Sequence, residues 1–132
     1  MFKLSLSLLL VAVIAVQSHK VEDNLNLNTD EKNQIAQIEA NCVAESKCKV
    51  EDVHKFDKGE FTDSKELRCF YKCLLTSFGV MDSEGRIVHS KINLLVPDKV
   101  RSKAEHCFNR EKGEPCDVAY ETYKCYIQEI HL

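Results

Sequence analysis

The sequence predicts an all-α chain of about six short helices, held together by disulfides. Three observations predict the class. Four glycines and two prolines in 132 residues are too few to punctuate the many tight turns of an all-β chain. Apolar residues recur at three- and four-residue spacing in several segments, the period of a helix face. Seven cysteines, all beyond residue 40, follow a leader that reads as an export signal, and an exported chain meets an oxidising compartment.

That leader starts with Met1-Phe2-Lys3. It continues as an apolar run from Leu4 to Val16 broken only by Ser5 and Ser7. The run is shorter than the roughly 20 residues of a membrane span. Val16-Gln17-Ser18 suits a signal peptidase, so residues 1–18 are expected to be a signal peptide and 19–132 a single helical domain. No other apolar run could span a bilayer, so the mature chain is expected to be secreted and extracellular, with no stable membrane association. The formal charge is −3, and losing Lys3 makes it one unit more acidic. Neither nucleic acid nor anionic lipid is expected as a partner, since both need a basic surface.

The mature start, His19 to Asn28, is polar and rich in Asn, and is expected to fray. Asn28 with Glu31 forms a capping box opening the first helix, whose inward face carries Ile35, Ile38 and Cys42. A short second helix runs through Val50, Val53 and Phe56 and stops before Gly59. Asp63 with Glu66 caps the third, and Gly79 falls where its C-terminal cap belongs. Leu67, Phe70, Tyr71, Leu74 and Phe78 form on it an apolar stripe about 100° wide, with Cys69 and Cys73 on one flank. Met81 to Arg86 is a polar loop containing Gly85. Val88, Ile92 and Leu95 mark a fourth helix stopped at Val96-Pro97. Pro97-Asp98 opens a fifth, with Val100, Ala104, Cys107 and Phe108 inward. After the turn Lys112–Pro115 the last helix starts near Cys116. Ala119, Tyr120, Tyr123, Ile127 and Ile130 share its inward face with Cys116, and Cys125 lies opposite.

Six paired cysteines allow 15 connectivities. Cys116 and Cys125 sit on one helix about 13 to 14 Å apart by helical rise, beyond the roughly 7 Å a disulfide tolerates. Cys69 and Cys73 are one turn apart with parallel Cβ vectors. Each excluded pair removes three connectivities, and one contains both, so ten remain open. Zinc is not expected, because the Cys69-x3-Cys73 spacing has no second close Cys or His pair.

Leaving out Cys48, the chain reads Cys42-x26-Cys69-x3-Cys73-x33-Cys107-x8-Cys116-x8-Cys125. Around these stand Leu67-Arg68-Cys69-Phe70-Tyr71-Lys72-Cys73, Gly79, Gly85 and Cys116-Asp117-Val118-Ala119. This pattern resembles the six-cysteine insect odorant-binding proteins, the pheromone/general-odorant-binding family, over the whole chain. The resemblance implies Cys42–Cys73, Cys69–Cys116 and Cys107–Cys125 pairing, one of the ten. It implies cavity walls from helices one, three, four, five and six, and a carrier for small hydrophobic ligands such as odorants and pheromones. An odorant receptor or a second copy of the chain are the implied further partners. Cys48 stands outside the pattern. It reads as a free buried thiol, or as one that pairs between molecules or in place of Cys42.

Combined with the inward faces, this nominates as ligand-binding residues Ile38, Val53, Phe56, Leu74, Phe78, Met81, Ile92, Leu95, Phe108, Ala119, Tyr123, Tyr126, Ile127 and Ile130. Tyr120, Tyr123 and Tyr126 offer hydroxyls to a ligand's polar group, and Thr76 is a weaker candidate. In the seven-residue tail after Cys125, Ile130 and Leu132 are expected to close the cavity, and ligand release to follow loosening of this tail at acidic pH, with His131 or the terminal carboxylate as the titrating group. No enzyme is expected. There is no Gly-x-Ser-x-Gly elbow, His-Glu-x-x-His or phosphate-binding loop, and the five histidines are scattered. His54 and His106 read as exposed or structural. No cofactor and no Asn-linked glycan are expected. The alternative function is a secreted interaction or scavenger protein of the saliva or venom type on the same scaffold.

Overall fold

A computed structural model describes residues 25–109 and 113–131; the expected signal peptide lies outside them. The helices start where local chemistry directs. Asn28 Oδ1 accepts from the Glu31 amide at 2.8 Å while Glu31 Oε1 accepts from the Asn28 amide at 3.1 Å. This reciprocal box opens α1, Thr29–Ser46. The second helix, α2 (Val50–Asp57), has acids in its first turn and His54 and Lys55 in its last, complementing its dipole. It ends at Gly59, φ +87°.

The third helix, α3 (Lys65–Ser77), corrects one expectation: its cap is Ser64, whose hydroxyl accepts from the Leu67 amide at 3.1 Å. Asp63 is engaged elsewhere, by Arg68 through Nε at 2.6 Å and Nη2 at 2.7 Å. At the other end Val80 N donates to Leu75 O and Gly79 N to Thr76 O, both at 3.0 Å. Those two bonds, with Gly79 at φ +77°, make a Schellman cap.

The loop after α3 is more ordered than a polar connection. Met81 and Ile87 form an isolated antiparallel bridge, and both are buried. Asp82 Oδ1 accepts from the amides of Glu84 and Arg86, each at 2.9 Å. Gly85 needs its freedom twice over. Its φ is +85°, and a Cβ there would lie 2.8 Å from Pro115 Cβ and Cγ. Gly85→Ala is expected to cost about 2 kcal/mol, by backbone strain and overlap with the start of the last helix. Thermal unfolding of the oxidised protein checks this.

Next come α4 (His89–Leu95) and α5 (Asp98–Ala104). The fifth helix does not continue through Phe108 as expected. It tightens into a 3₁₀ turn over Glu105–Asn109, which still buries Cys107 and Phe108. The last helix, α6 (Pro115–His131), has Pro115 in its first turn, where a missing amide costs nothing. Among the described residues there are six α-helices and no strand beyond the isolated bridge.

Packing centres on α3, which meets α6 most extensively and α1 next. Three disulfides fix these contacts: Cys42–Cys73 joins α1 to α3, Cys69–Cys116 joins α3 to α6, and Cys107–Cys125 joins the 3₁₀ turn to α6. They close loops of 31, 47 and 18 residues, each contributing about 3 to 4 kcal/mol in the chain-entropy model. Cys48 is a free, buried thiol, and burial pushes its pKa up, which keeps it protonated and unreactive.

Arg68 clamps the α3–α6 seam. Besides Asp63 it donates to Asp117 at 3.1 Å, and its guanidinium lies 4.4 Å from the Tyr120 ring centroid. The Arg68 hydrogen bonds hold the Asp63 carboxyl below the usual carboxylate range. The fold therefore favours the charged form. That stabilisation is complete above the ordinary value of 3.8 and is lost as pH falls through the depressed one. Stability measured by urea is expected to fall below about pH 4, and Asp63→Asn to flatten part of that fall. An unchanged slope in Asp63→Asn would refute the assignment.

Candidate functional site

The interior divides into a filled region and a hollow one. Around Phe56 it is filled by rings, with centroids 4.7 Å away at Phe61, 4.4 Å at Tyr71, 5.3 Å at Tyr120 and 5.9 Å at Tyr123. Tyr71 stacks on Tyr123 at 4.7 Å. Flat rings meeting edge-to-face leave little void. Tyr123 also borders the second region, where branched aliphatic side chains enclose a cavity of about 70 Å³. One water-sized group takes roughly 10 to 15 Å³ on this measure, so the space admits about five.

Of the described helices, all but α2 and α5 contribute to the wall. Ile35 and Glu39 come from α1, Leu74 and Leu75 from α3, and Phe78 from its C-cap. Val80 and Ile87 flank the bridged loop, Ile92 and Leu95 lie on α4, Val96 follows it, and Phe108 sits on the 3₁₀ turn. Thr122, Tyr123 and Tyr126 come from α6. Leu25 and Leu27 complete it from the segment before α1. That segment is held as a strap, its Asn26 amide donating to Leu95 O and its side-chain amide to Leu94 O. The expectation that the stretch up to Asn28 frays thus fails for residues 25–28; residues 19–24 lie outside the described part.

Of the fourteen nominated residues, Leu74, Phe78, Ile92, Leu95, Phe108, Tyr123 and Tyr126 stand on this wall. The other seven do not. Val53 and Phe56 belong to α2, and Phe56 lies among the rings of the filled region. Met81 is buried in the bridge while its partner Ile87 takes the wall. α1 meets the cavity through Ile35 and Glu39, one turn apart, and Ile38 only packs against the core. Ala119 and Ile127 are fully buried in the core and off the wall. Ile130 lines a separate groove with Lys99, Val100, Lys103 and Glu129. The tail expected to close the cavity is thereby placed elsewhere as far as Ile130; Leu132 and the His131 side chain lie outside the described residues.

The α6 outcome has a plain cause. A helix buried on one side shows one apolar stripe, but α6 also buries Val118, Thr122 and Tyr126, a row at four-residue spacing. Thr122 and Tyr126 of that row reach the cavity. The row was readable, but a threonine at its centre hides it from an apolar count. Two hydroxyls expected to face a ligand are spoken for. Tyr120 donates to Thr62 O at 2.8 Å, and Thr76 donates to Lys72 O at 2.8 Å and Cys73 O at 3.0 Å. Tyr126 is on the wall, and burial pushes its pKa up to about 12. It is a neutral phenol across the physiological range.

Two other features carry less. A larger groove of about 700 Å³ lies beside Cys48, but exposed Glu45, Lys47, Lys49, Lys65 and Glu66 line it, so it cannot desolvate an apolar molecule. His106 Nε2 and the sulfurs of Cys107 and Cys125 lie within 4.8 Å of one another. Those sulfurs are bonded to each other, so they offer no thiolate to a metal. The cavity wall itself supplies apolar burial and a few hydrogen-bonding groups.

Residues 25–129 match the profile of the PBP/GOBP family. The chain belongs to this family. General odorant-binding protein 69a of Drosophila melanogaster is 26% identical over 96% of this chain and 86% of its own length. A solved odorant-binding protein 7 of Anopheles gambiae, with four disulfide bridges and an azo compound bound, is 26% identical. It superposes with a TM-score of 0.62 over 78% of this chain and 88% of that one. Odorant-binding protein 4 of Chrysopa pallens, 23% identical, shares the fold with a TM-score of 0.66 over 78% and 92% of the two chains. The three disulfides carry the pairing that the PBP/GOBP resemblance implied. No described helix is long and apolar enough to cross a membrane.

Proposed function

We propose that the protein is a secreted carrier. It takes up small hydrophobic ligands (odorants, pheromones or similar volatiles) in the cavity between the strap, α1, α3, α4 and α6 and carries them through extracellular fluid. The observation that supports this most is the wall itself, nearly all aliphatic or aromatic, with its α1, α3, 3₁₀-turn and α6 parts cross-linked by disulfides. A pocket of this composition binds by removing apolar surface from water, about 25 cal/mol per Å². Micromolar affinity, roughly −8 kcal/mol, is reachable without covalent chemistry. The small volume favours short ligands over long-chain lipids. The azo complex of the Anopheles gambiae protein supports the reading, and residues 1–18 serve in it as the export signal. An interaction protein on the same scaffold would want an exposed apolar patch, whereas Leu94 is the one large exposed apolar side chain among the described residues.

The test is displacement of an apolar fluorescent probe from full-length chain expressed through a eukaryotic secretory pathway. Saturable uptake, displaced by short volatiles at micromolar levels, is the expected result. Correctly bridged protein that takes up no probe would overturn the carrier reading.

A further inference from the structure

The cavity wall carries a polar group without a partner. Thr122 is 3% exposed, lines the cavity, and its Oγ1 makes no hydrogen bond among the described residues. A threonine inside a helix ordinarily satisfies its hydroxyl on a carbonyl three or four positions back. Thr76 does so on α3, at 2.8 and 3.0 Å. Thr122 on α6 does not, so a buried O–H group with acceptor capacity lies unpaired at a mostly apolar wall, which it shares with Glu39 and the phenols of Tyr123 and Tyr126. A buried hydroxyl left unmade costs on the order of 1–3 kcal/mol, a cost that a ligand oxygen would relieve.

Nothing on the wall is basic: its described residues include no Lys, Arg or His, and Glu39, 4% exposed, puts a carboxyl there instead. A carboxylate ligand would enter a mostly apolar cavity whose described wall residues offer it no cation. Resting on the carrier reading, we propose that Thr122 is the hydrogen-bonding anchor of the cavity and that its ligands are short, neutral, apolar molecules carrying one alcohol or carbonyl oxygen. Hydrocarbons lack the oxygen, and fatty acids bring a charge that no described wall residue compensates.

Probe displacement by a hydrocarbon, an alcohol and a carboxylate of equal carbon count tests this in wild type, Thr122→Val and Thr122→Ser. In wild type the alcohol is expected to displace about tenfold more tightly than the hydrocarbon, with the carboxylate weakest. In Thr122→Val the alcohol falls to the level of the hydrocarbon, and Thr122→Ser restores the preference. The unliganded Thr122→Val protein is expected to melt no lower than wild type, because it loses an unpaired hydroxyl; a threonine with a purely structural bond would melt lower when replaced. Thr122→Val retaining the tenfold preference, or a carboxylate matching the alcohol, overturns the anchor. Alcohol and hydrocarbon binding equally to wild type also overturns it while leaving the carrier standing. Failure of all three ligands to displace probe overturns the carrier reading itself.

Discussion

Phe56→Ala is expected to lower folding stability by about 3 to 5 kcal/mol, the range for deleting a fully buried ring. Phe56 has no exposed surface and four ring neighbours within 6 Å between centroids. Each such pair contributes about 0.5–1.5 kcal/mol beyond its buried area. Those neighbours cannot close the gap. Tyr120 is fixed by its bond to Thr62 and by Arg68 above its ring, and Tyr71 and Tyr123 are stacked on each other. The void therefore stays open. Urea unfolding of the disulfide-intact protein measures it. A loss below about 1 kcal/mol would mean that the rings repack and that this region is not the rigid half of the core. The substitution also separates the two halves functionally, since Phe56 stands off the cavity wall. The preference for short ligands is expected to survive it, once measurements are made where the variant is folded.

Phe56 marks what the sequence conveys and what it withholds. Its burial follows from helical spacing on α2, and so does that of Leu67, Phe70, Tyr71 and Leu74 on α3. The Asn28–Glu31 box and Gly79 were equally readable, because a cap is a local arrangement of a few residues. The disulfide pairing was not fixed by geometry. Ten connectivities stayed open until the cysteine spacing was set beside a family. Periodicity tells inside from outside, but a filled inside and a hollow one look alike to it. Which residues face a void depends on how well neighbours from other elements interdigitate, a property of the assembled packing. Hence Val53 and Leu74 read alike in sequence, yet only Leu74 reaches the cavity. Leu25 and Leu27 were hidden differently: two leucines alternating with asparagines carry no helical period, and their place follows from the backbone bond between Asn26 and Leu95.

Ile92→Phe is expected to abolish saturable ligand uptake while leaving the protein folded. Ile92 is 5% exposed on a seven-residue helix, and its side chain borders the hollow. A larger side chain there grows into free space, so the usual overpacking penalty of about 1–3 kcal/mol is partly avoided. The cavity holds about 70 Å³, and each added ring carbon removes room that a short ligand needs. Val53→Phe is the matched control. Val53, 2% exposed, stands off the cavity wall on α2, beside the ring-filled half. The same enlargement is expected to bring the full overpacking penalty there and to leave probe binding intact. Circular dichroism melts and probe titration on both variants give a crossed result: binding lost with stability kept for Ile92→Phe, and stability lost with binding kept for Val53→Phe. Wild-type uptake by a folded Ile92→Phe protein would place the ligand outside this cavity, and the carrier reading would have to find another site or be given up.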